Sequence, residues 1–390
     1  MRPPPLESGL DELPILPALL ALVLAGGVRA DETLARDLGE EVLQLPVRLP
    51  GGIHAMTITV YHPSGPGPHP LAVLSHGRAT TPAERARPSR VRMLDAARYF
   101  VRKGFVVIVP TRQGYGASAG GADPEDSGPC RDKDYADSLR PAVSEILAAL
   151  DYGRRLDEVD SQRMLLLGQS VGGISTVAAA AENPPGVVAA INFAGGAGGD
   201  PASHPGIPCA EPQLRRLFAK FGAQSRTPML WVYTRNDRFF GPEYTQEWAR
   251  AYREAGARLD YRLLPAFGDN GHLLFADGPD IWMPLLEAYL GSLGFRQPDI
   301  PPRPAPSGFA ALNDSERIPY LKPEDRRDAY ARFLSSPFPR AFAISPDGHW
   351  GYAHGGDAAG RALGFCQNHS PSPCSLYAVD QDVVWPGGQP

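Results

Sequence analysis

Residues 168–173 read GQSVGG, between the apolar run MLLL and the small-residue run ISTVAAAA. A G-x-S-x-G pattern set between a buried strand and a helix suits a nucleophile elbow. Gly168, Gly172 and Gly173 remove side chains that would clash in a sharp turn, and Ser170 is lifted to the end of the strand. The helix N-terminus behind it offers free N–H groups and a dipole that favour developing negative charge. A serine hydroxyl is a weak nucleophile at neutral pH, so it needs a base within hydrogen-bond reach and a carboxylate to orient that base.

The order to look for is serine, acid, histidine. After the run PMLWVY comes TRNDRFFGP, which puts Asp237 at the carboxyl end of a strand, where catalytic groups gather in open α/β sheets. After LDYRLLP comes AFGDNGHLLF, which presents His272 in a loop before a helix. Asp269 is the rival acid, but it lies too close in sequence to His272. A tetrahedral intermediate also needs hydrogen-bond donors for its oxyanion. One is expected from the N–H of Val171, and the other from the N–H of Arg78 in the loop LAVLSHGRAT, with His76 stabilising the turn.

These residues must be held by a scaffold. PLAVLSHG, FVVIVP, MLLLG, VVAAINFAG and PMLWVY are short apolar runs bounded by Gly, Pro or polar residues, as expected of strands covered on both faces. GGIHAMTITVYHP alternates instead and reads as a strand of an antiparallel edge pair. Helical periodicity occupies RVRMLDAARYFVRKG, YADSLRPAVSEILAALDYG, ISTVAAAAEN, EYTQEWARAYREAGA and IWMPLLEAYLGSLGF. The alternation predicts an α/β fold with a doubly wound, mostly parallel sheet. The rhythm breaks at RPAPSGFAALNDSERIPYLKP. Residues 302–390 are therefore read as a small C-terminal α+β module, with a strand-turn-strand around a Pro-Asp-Gly turn and a last strand in CSLYAVDQDVVW.

Taken together, SHG, TRQGYGASAGG, GQSVGG, TRNDRFF and FGDNGHLLF resemble the α/β-hydrolase superfamily, in particular bacterial dienelactone-hydrolase-like esterases, over roughly residues 45–295. Members of the dienelactone hydrolase family proper use a cysteine nucleophile. Ser170 stands in that place here, which moves the expectation toward serine esterases. The resemblance implies that the segment RQGYGASAG lines the active-site rim, making Tyr115 a candidate substrate contact. Phe239, beside Asp237, is a candidate for an apolar substrate pocket, as are Phe240 and Phe267.

The chain has 390 residues, a formal net charge of −5 and 21% charged residues of both signs throughout, so no basic segment points to nucleic acid. LPILPALLALVLAGGVRA is too short and too Pro-interrupted to span a bilayer. It reads as an export signal cleaved after Ala30, although Glu7, Asp11 and Glu12 outnumber Arg2 before it. Residues 1–30 are thus a leader and 31–301 the catalytic domain. Cys130, Cys209, Cys366 and Cys374 lack the C-x-x-C spacing of a zinc site and read as disulfides in an exported chain. The short Cys366 to Cys374 separation favours that pair and leaves Cys130 with Cys209.

The expected function is a periplasmic or secreted serine hydrolase that cleaves carboxylic esters, small or polymeric, through Ser170, Asp237 and His272. The chemistry requires no cofactor and no metal, and no stable membrane insertion or nucleic-acid partner is expected. The acidic stretch ADPEDSGPCRDKDYAD lacks the regular ligand spacing of a calcium loop. A serine peptidase of the same fold and a catalytically idle binding protein are the alternatives.

Overall fold

The computed structural model describes residues 34–119, 122–295, 303–355 and 358–387. The expected leader and the expected boundary near Pro301 lie outside the described residues.

The larger unit is built on one eight-stranded sheet. Its strands are β1 (Glu41–Leu49), β2 (Gly52–Tyr61), β3 (His69–Ser75), β4 (Val106–Thr111), β5 (Val159–Gln169), β6 (Val187–Phe193), β9 (Met229–Thr234) and β10 (Leu259–Leu264). They lie in the order β1-β2-β4-β3-β5-β6-β9-β10. β1 pairs antiparallel with β2 and β2 with β4, and every later pairing is parallel. The five continuous apolar runs supply β3, β4, β5, β6 and β9, and β3, β4 and β9 are buried at every residue. β10, at the edge, is only half-buried. A two-stranded ribbon, β7 (Gly199–Asp200) with β8 (His204–Pro208), is inserted after β6.

Helices cover both faces, because a strand that is apolar on both sides must be packed on both. On one face lie α3 (Tyr135–Gly153), α4 (Val171–Ala181), α5 (Glu211–Gln224) and α6 (Pro242–Glu254), whose Ile146, Ile174, Phe218 and Trp248 meet Ile58, Val73 and Trp231. On the other lie α2 (Leu94–Arg102) and α8 (Pro279–Ser292), whose Phe100, Trp282 and Leu286 meet Leu74, Val107 and Leu167. Short helices α1 (Pro82–Ala86) and α7 (Leu274–Asp277) sit in loops. α3 begins at Asp134, whose side chain accepts the Asp137 N–H, an N-cap that satisfies a donor the helix cannot. α5 had no counterpart among the expected helices. Leu214, Leu217, Phe218 and Gly222 of its EPQLRRLFAKFGAQ are buried, and Phe221 packs partly buried beside them.

Residues 303–387 form a second, four-stranded antiparallel sheet of β11 (Arg340–Ile344), β12 (Trp350–His354), β13 (Ser375–Val379) and β14 (Asp382–Val383), in the order β12-β11-β13-β14. α9 (Pro323–Ser335) packs Tyr330 and Phe333 against Phe342 and Tyr377, while α10 (Ala358–Gln367) packs Ala362 and Cys366 against Ala341 and Ala343. This sheet therefore has its own core on each face. Arg303 ties the two sheets together: its guanidinium donates to the carbonyls of His62 and Pro63 and pairs with Asp380. Arg36 pairs with Asp382. Both disulfides are present, Cys130–Cys209 in the larger unit and Cys366–Cys374 in the smaller. No helix among the described residues is long and apolar enough to cross a membrane.

Candidate active site

β5 runs into α4 through a single residue, Ser170, whose backbone adopts φ 57° and ψ −124°. A non-glycine residue at positive φ is strained and persists only when its surroundings over-determine it. Here they do: Ser170 N–H donates to Phe193 O at 3.0 Å, and its carbonyl accepts from Ile174 and Gly196. A Cβ on Gly168 would collide with the Gly172 carbonyl, and one on Gly172 with the carbonyls of Ser75 and His76. Both positions must be glycine because backbone approaches backbone there.

The ends of β9 and β10 bring the other two groups to this turn. His272 Nε2 lies 3.0 Å from Ser170 Oγ, and its Nδ1 lies 3.0 and 3.1 Å from the two carboxylate oxygens of Asp237. All three residues are buried. An ionised carboxylate only accepts, so the ring donates from Nδ1 and leaves Nε2 to accept the serine proton. Asp237 Oδ1 also accepts from the N–H groups of Phe239 and Phe240 at 2.8 and 3.0 Å, which fixes the carboxylate in its loop. The Phe239 ring stacks on His272 at 4.1 Å and Phe240 meets it edge-on at 5.4 Å, so His272 is held in plane by packing as well as by hydrogen bonds. Asp269 is exposed and makes no such contact.

Two asparagines that the sequence reading did not single out lock these loops together. Asn236 accepts from Phe267 N–H and donates to the carbonyls of Phe267 and Gly268. Asn270 accepts from the N–H groups of His272 and Arg238. Each asparagine stands in one loop and binds the other. The dipeptides Asn-Asp and Asp-Asn around them are turn signals, which is the only trace of this role in the sequence.

The loop after β3 lies against the turn: a Cβ on Gly77 would stand 3.3 Å from Ser170 Cβ. The N–H groups of Arg78 and Val171 have no protein acceptor among the described residues, as an oxyanion site requires. The Arg78 side chain turns away and pairs with Asp123, Nη2 to Oδ2 at 2.6 Å. Tyr115, expected at the rim, is buried like His272. Its hydroxyl accepts from Ala79 N–H at 3.0 Å and donates to Glu125 at 3.2 Å, so the side chain braces the Arg78 loop. His76 is buried, with Nδ1 on Gly77 O at 2.7 Å and Nε2 accepting from Arg112 N–H. Burial, with Arg112 adding to it, holds its pKa well below the usual imidazole range, so it serves the turn as a neutral ring. A cleft of about 250 Å³ beside this loop is lined by His76, Gly77, Met93, Leu94, Gln169 and Phe275.

Within the acidic stretch Asp123 pairs with Arg78 and Arg85 and Glu125 with Arg112, while Asp126 and Asp134 accept the backbone N–H groups of Gly128 and Asp137. Among the described residues no group of three or more His, Cys, Asp or Glu side chains could hold a metal ion.

Residues 90–283 match the dienelactone hydrolase family. No curated protein matches the chain. Among solved structures, a putative dienelactone hydrolase from Klebsiella pneumoniae is similar at 16% identity, with a TM-score of 0.44 over 63% of this chain and 97% of that one. An esterase of Pyrococcus furiosus is similar at 12% identity, TM-score 0.46, over 67% of this chain and 94% of that one. A puromycin-hydrolyzing peptidase of Mycobacterium tuberculosis is similar at 18% identity, TM-score 0.47, over 68% of this chain and 41% of that one. The matched segment, just under half of the chain, holds Ser170, Asp237 and His272 alike, and over it the chain is similar to the dienelactone hydrolase family.

Proposed function

We propose that this chain is an exported serine hydrolase that cleaves carboxylic esters through an acyl-enzyme. The observation that carries the reading is the position of His272, within hydrogen-bond reach of both Ser170 and Asp237. In the forward step His272 takes the Ser170 proton as Oγ attacks the ester carbonyl, and Asp237 stabilises the imidazolium that forms. The N–H groups of Val171 and Arg78 hold the oxyanion. His272 then protonates the departing alkoxide, and a water activated by the same ring releases the acid and restores Ser170. Phe239, stacked on that ring, borders the space a substrate would occupy. Export is supported by the two disulfides, since such bonds persist in oxidising compartments. Residues 31–301 would be the catalytic domain and 302–390 an appended module.

The test is turnover of a chromogenic ester series of increasing acyl length, beside a peptide-amide series, by the wild type and by folded Ser170→Ala and His272→Ala variants. Ester hydrolysis that falls by about 10⁴-fold in both variants is expected. Turnover of amides alone would replace the esterase reading by a peptidase one, and no turnover by the wild type would remove both.

A further inference from the structure

Arg112, the residue that follows β4, is wholly buried behind the loop that carries Arg78. Its guanidinium donates from Nη1 to His76 O at 2.7 Å and to Ser75 Oγ at 2.9 Å, and from Nη2 to Gly77 O at 3.4 Å. Its Nε is held by Glu125. The peptide bonds of this loop are trans. In a trans unit the C=O and N–H point in opposite directions. Arg112 therefore grips the carbonyls of the two units whose N–H groups belong to Gly77 and Arg78. Those N–H groups are directed away from the guanidinium. The His76 ring adds a second donor to Gly77 O, and hydrogen bonds onto a carbonyl polarise the unit and strengthen its N–H as a donor. The following unit is pinned by Tyr115, whose hydroxyl accepts from Ala79 N–H, and Glu125 joins Tyr115 to Arg112.

On the serine-hydrolase reading, we infer that Arg112, backed by Glu125 and Tyr115, is a positioning residue that aims the Arg78 N–H at the oxyanion through the carbonyls of His76 and Gly77. It touches no substrate. Its effect is confined to the state in which the oxyanion exists, so it should act on kcat and not on ground-state binding.

The experiment compares wild type with Arg112→Lys, Tyr115→Phe and Glu125→Gln, all checked for native near-ultraviolet circular dichroism. The readouts are kcat, KM and the affinity for a trifluoromethyl ketone, which Ser170 converts to a hemiketal bearing an oxyanion. Arg112→Lys should lose about 100-fold in kcat with KM held within roughly threefold, and the ketone should weaken by the same factor as kcat. Tyr115→Phe should show the same signature at about tenfold. If Arg112→Lys does not fold, Tyr115→Phe and Glu125→Gln must show that signature on their own. Folded variants with unchanged kcat and ketone affinity would overturn the inference. So would losses in kcat that leave ketone affinity unmoved, because a merely structural role predicts that pattern. A Ser170→Ala control separates the two readings. Full turnover in Ser170→Ala overturns both, whereas its loss beside unaffected positioning variants overturns only this one.

Discussion

The larger and smaller units are built from the same elements, a sheet with helices on its two faces, yet they bury different things. Around Ser170 the larger unit buries Asp237, His272, His76, Arg112, Glu125 and Glu145, each with a polar partner. The smaller unit buries mainly aromatic and small apolar side chains, such as Tyr330, Phe333, Phe342, Ala341 and Ala362. Burying polar groups is costly unless every one is paired, so the first arrangement is kept only where geometry of that kind has a use. The second arrangement is the ordinary solution to covering a small sheet. The disulfides follow the same division. Cys130–Cys209 closes 79 residues and joins the loop holding Asp123 and Glu125 to the ribbon that grips the Asp237 loop, Gly206 N–H on Arg238 O and Gly241 N–H on Gly206 O. Cys366–Cys374 closes 8 residues between α10 and β13.

The sharpest way to break this contrast is to add one methyl group on each side. Gly172→Ala should remove folded protein or cost more than about 4 kcal/mol in chemical denaturation, because the new Cβ meets two backbone carbonyls that cannot withdraw. Next in size, serine substitution of both Cys130 and Cys209 should cost about 4.5 kcal/mol by loop-closure entropy and lower kcat as well, since both walls of the site lose their tether. A kcat that stays at the wild-type value would show that the link serves stability alone.

Glu145 offers a third test, by pH. Burial raises its carboxyl to about 7 in the folded state, while its backbone partner Gln113 N–H and Arg112 oppose the shift. The unfolded chain releases that proton nearer the ordinary carboxylate value of 4.5, so its contribution to stability is full below pH 4.5 and declines as pH rises toward 7. The decline should be about 3 kcal/mol, and Glu145→Gln, which keeps an acceptor for Gln113, should flatten it in urea melts at pH 4.5 and 7. An unchanged slope would place the titration elsewhere. In the smaller unit, removing Cys366–Cys374 should cost about 2.5 kcal/mol and leave ester turnover untouched. Gly364→Ala, the counterpart of the first substitution, meets open space within α10 and should gain up to about 1 kcal/mol.

What could be read in the sequence was local. Burial on both faces writes continuous apolar runs, which made β3, β4, β5, β6 and β9 legible. α5 was legible too, since Leu214, Leu217, Phe218 and Phe221 stand at helical spacing, although the expected helices do not include it. Ser170, Asp237 and His272 could be proposed together because each stands just past a strand, and strands of a parallel sheet end on the same side. Arg112, Glu125, Asn236 and Asn270 left no comparable mark. Arg112 is 36 residues from the carbonyl of His76 that it holds, and Asn270 is 32 from the Arg238 N–H that it accepts. No short pattern encodes a pairing across that distance, and tertiary structure alone decides it. The same holds for Tyr115, whose hydroxyl meets Ala79 and Glu125. By itself the sequence determined the periodicities, the glycines that a tight turn demands and the residue types that can move a proton. Only the folded sheet decided which carbonyls those buried side chains would meet, because that depends on how strands distant in the chain are set side by side.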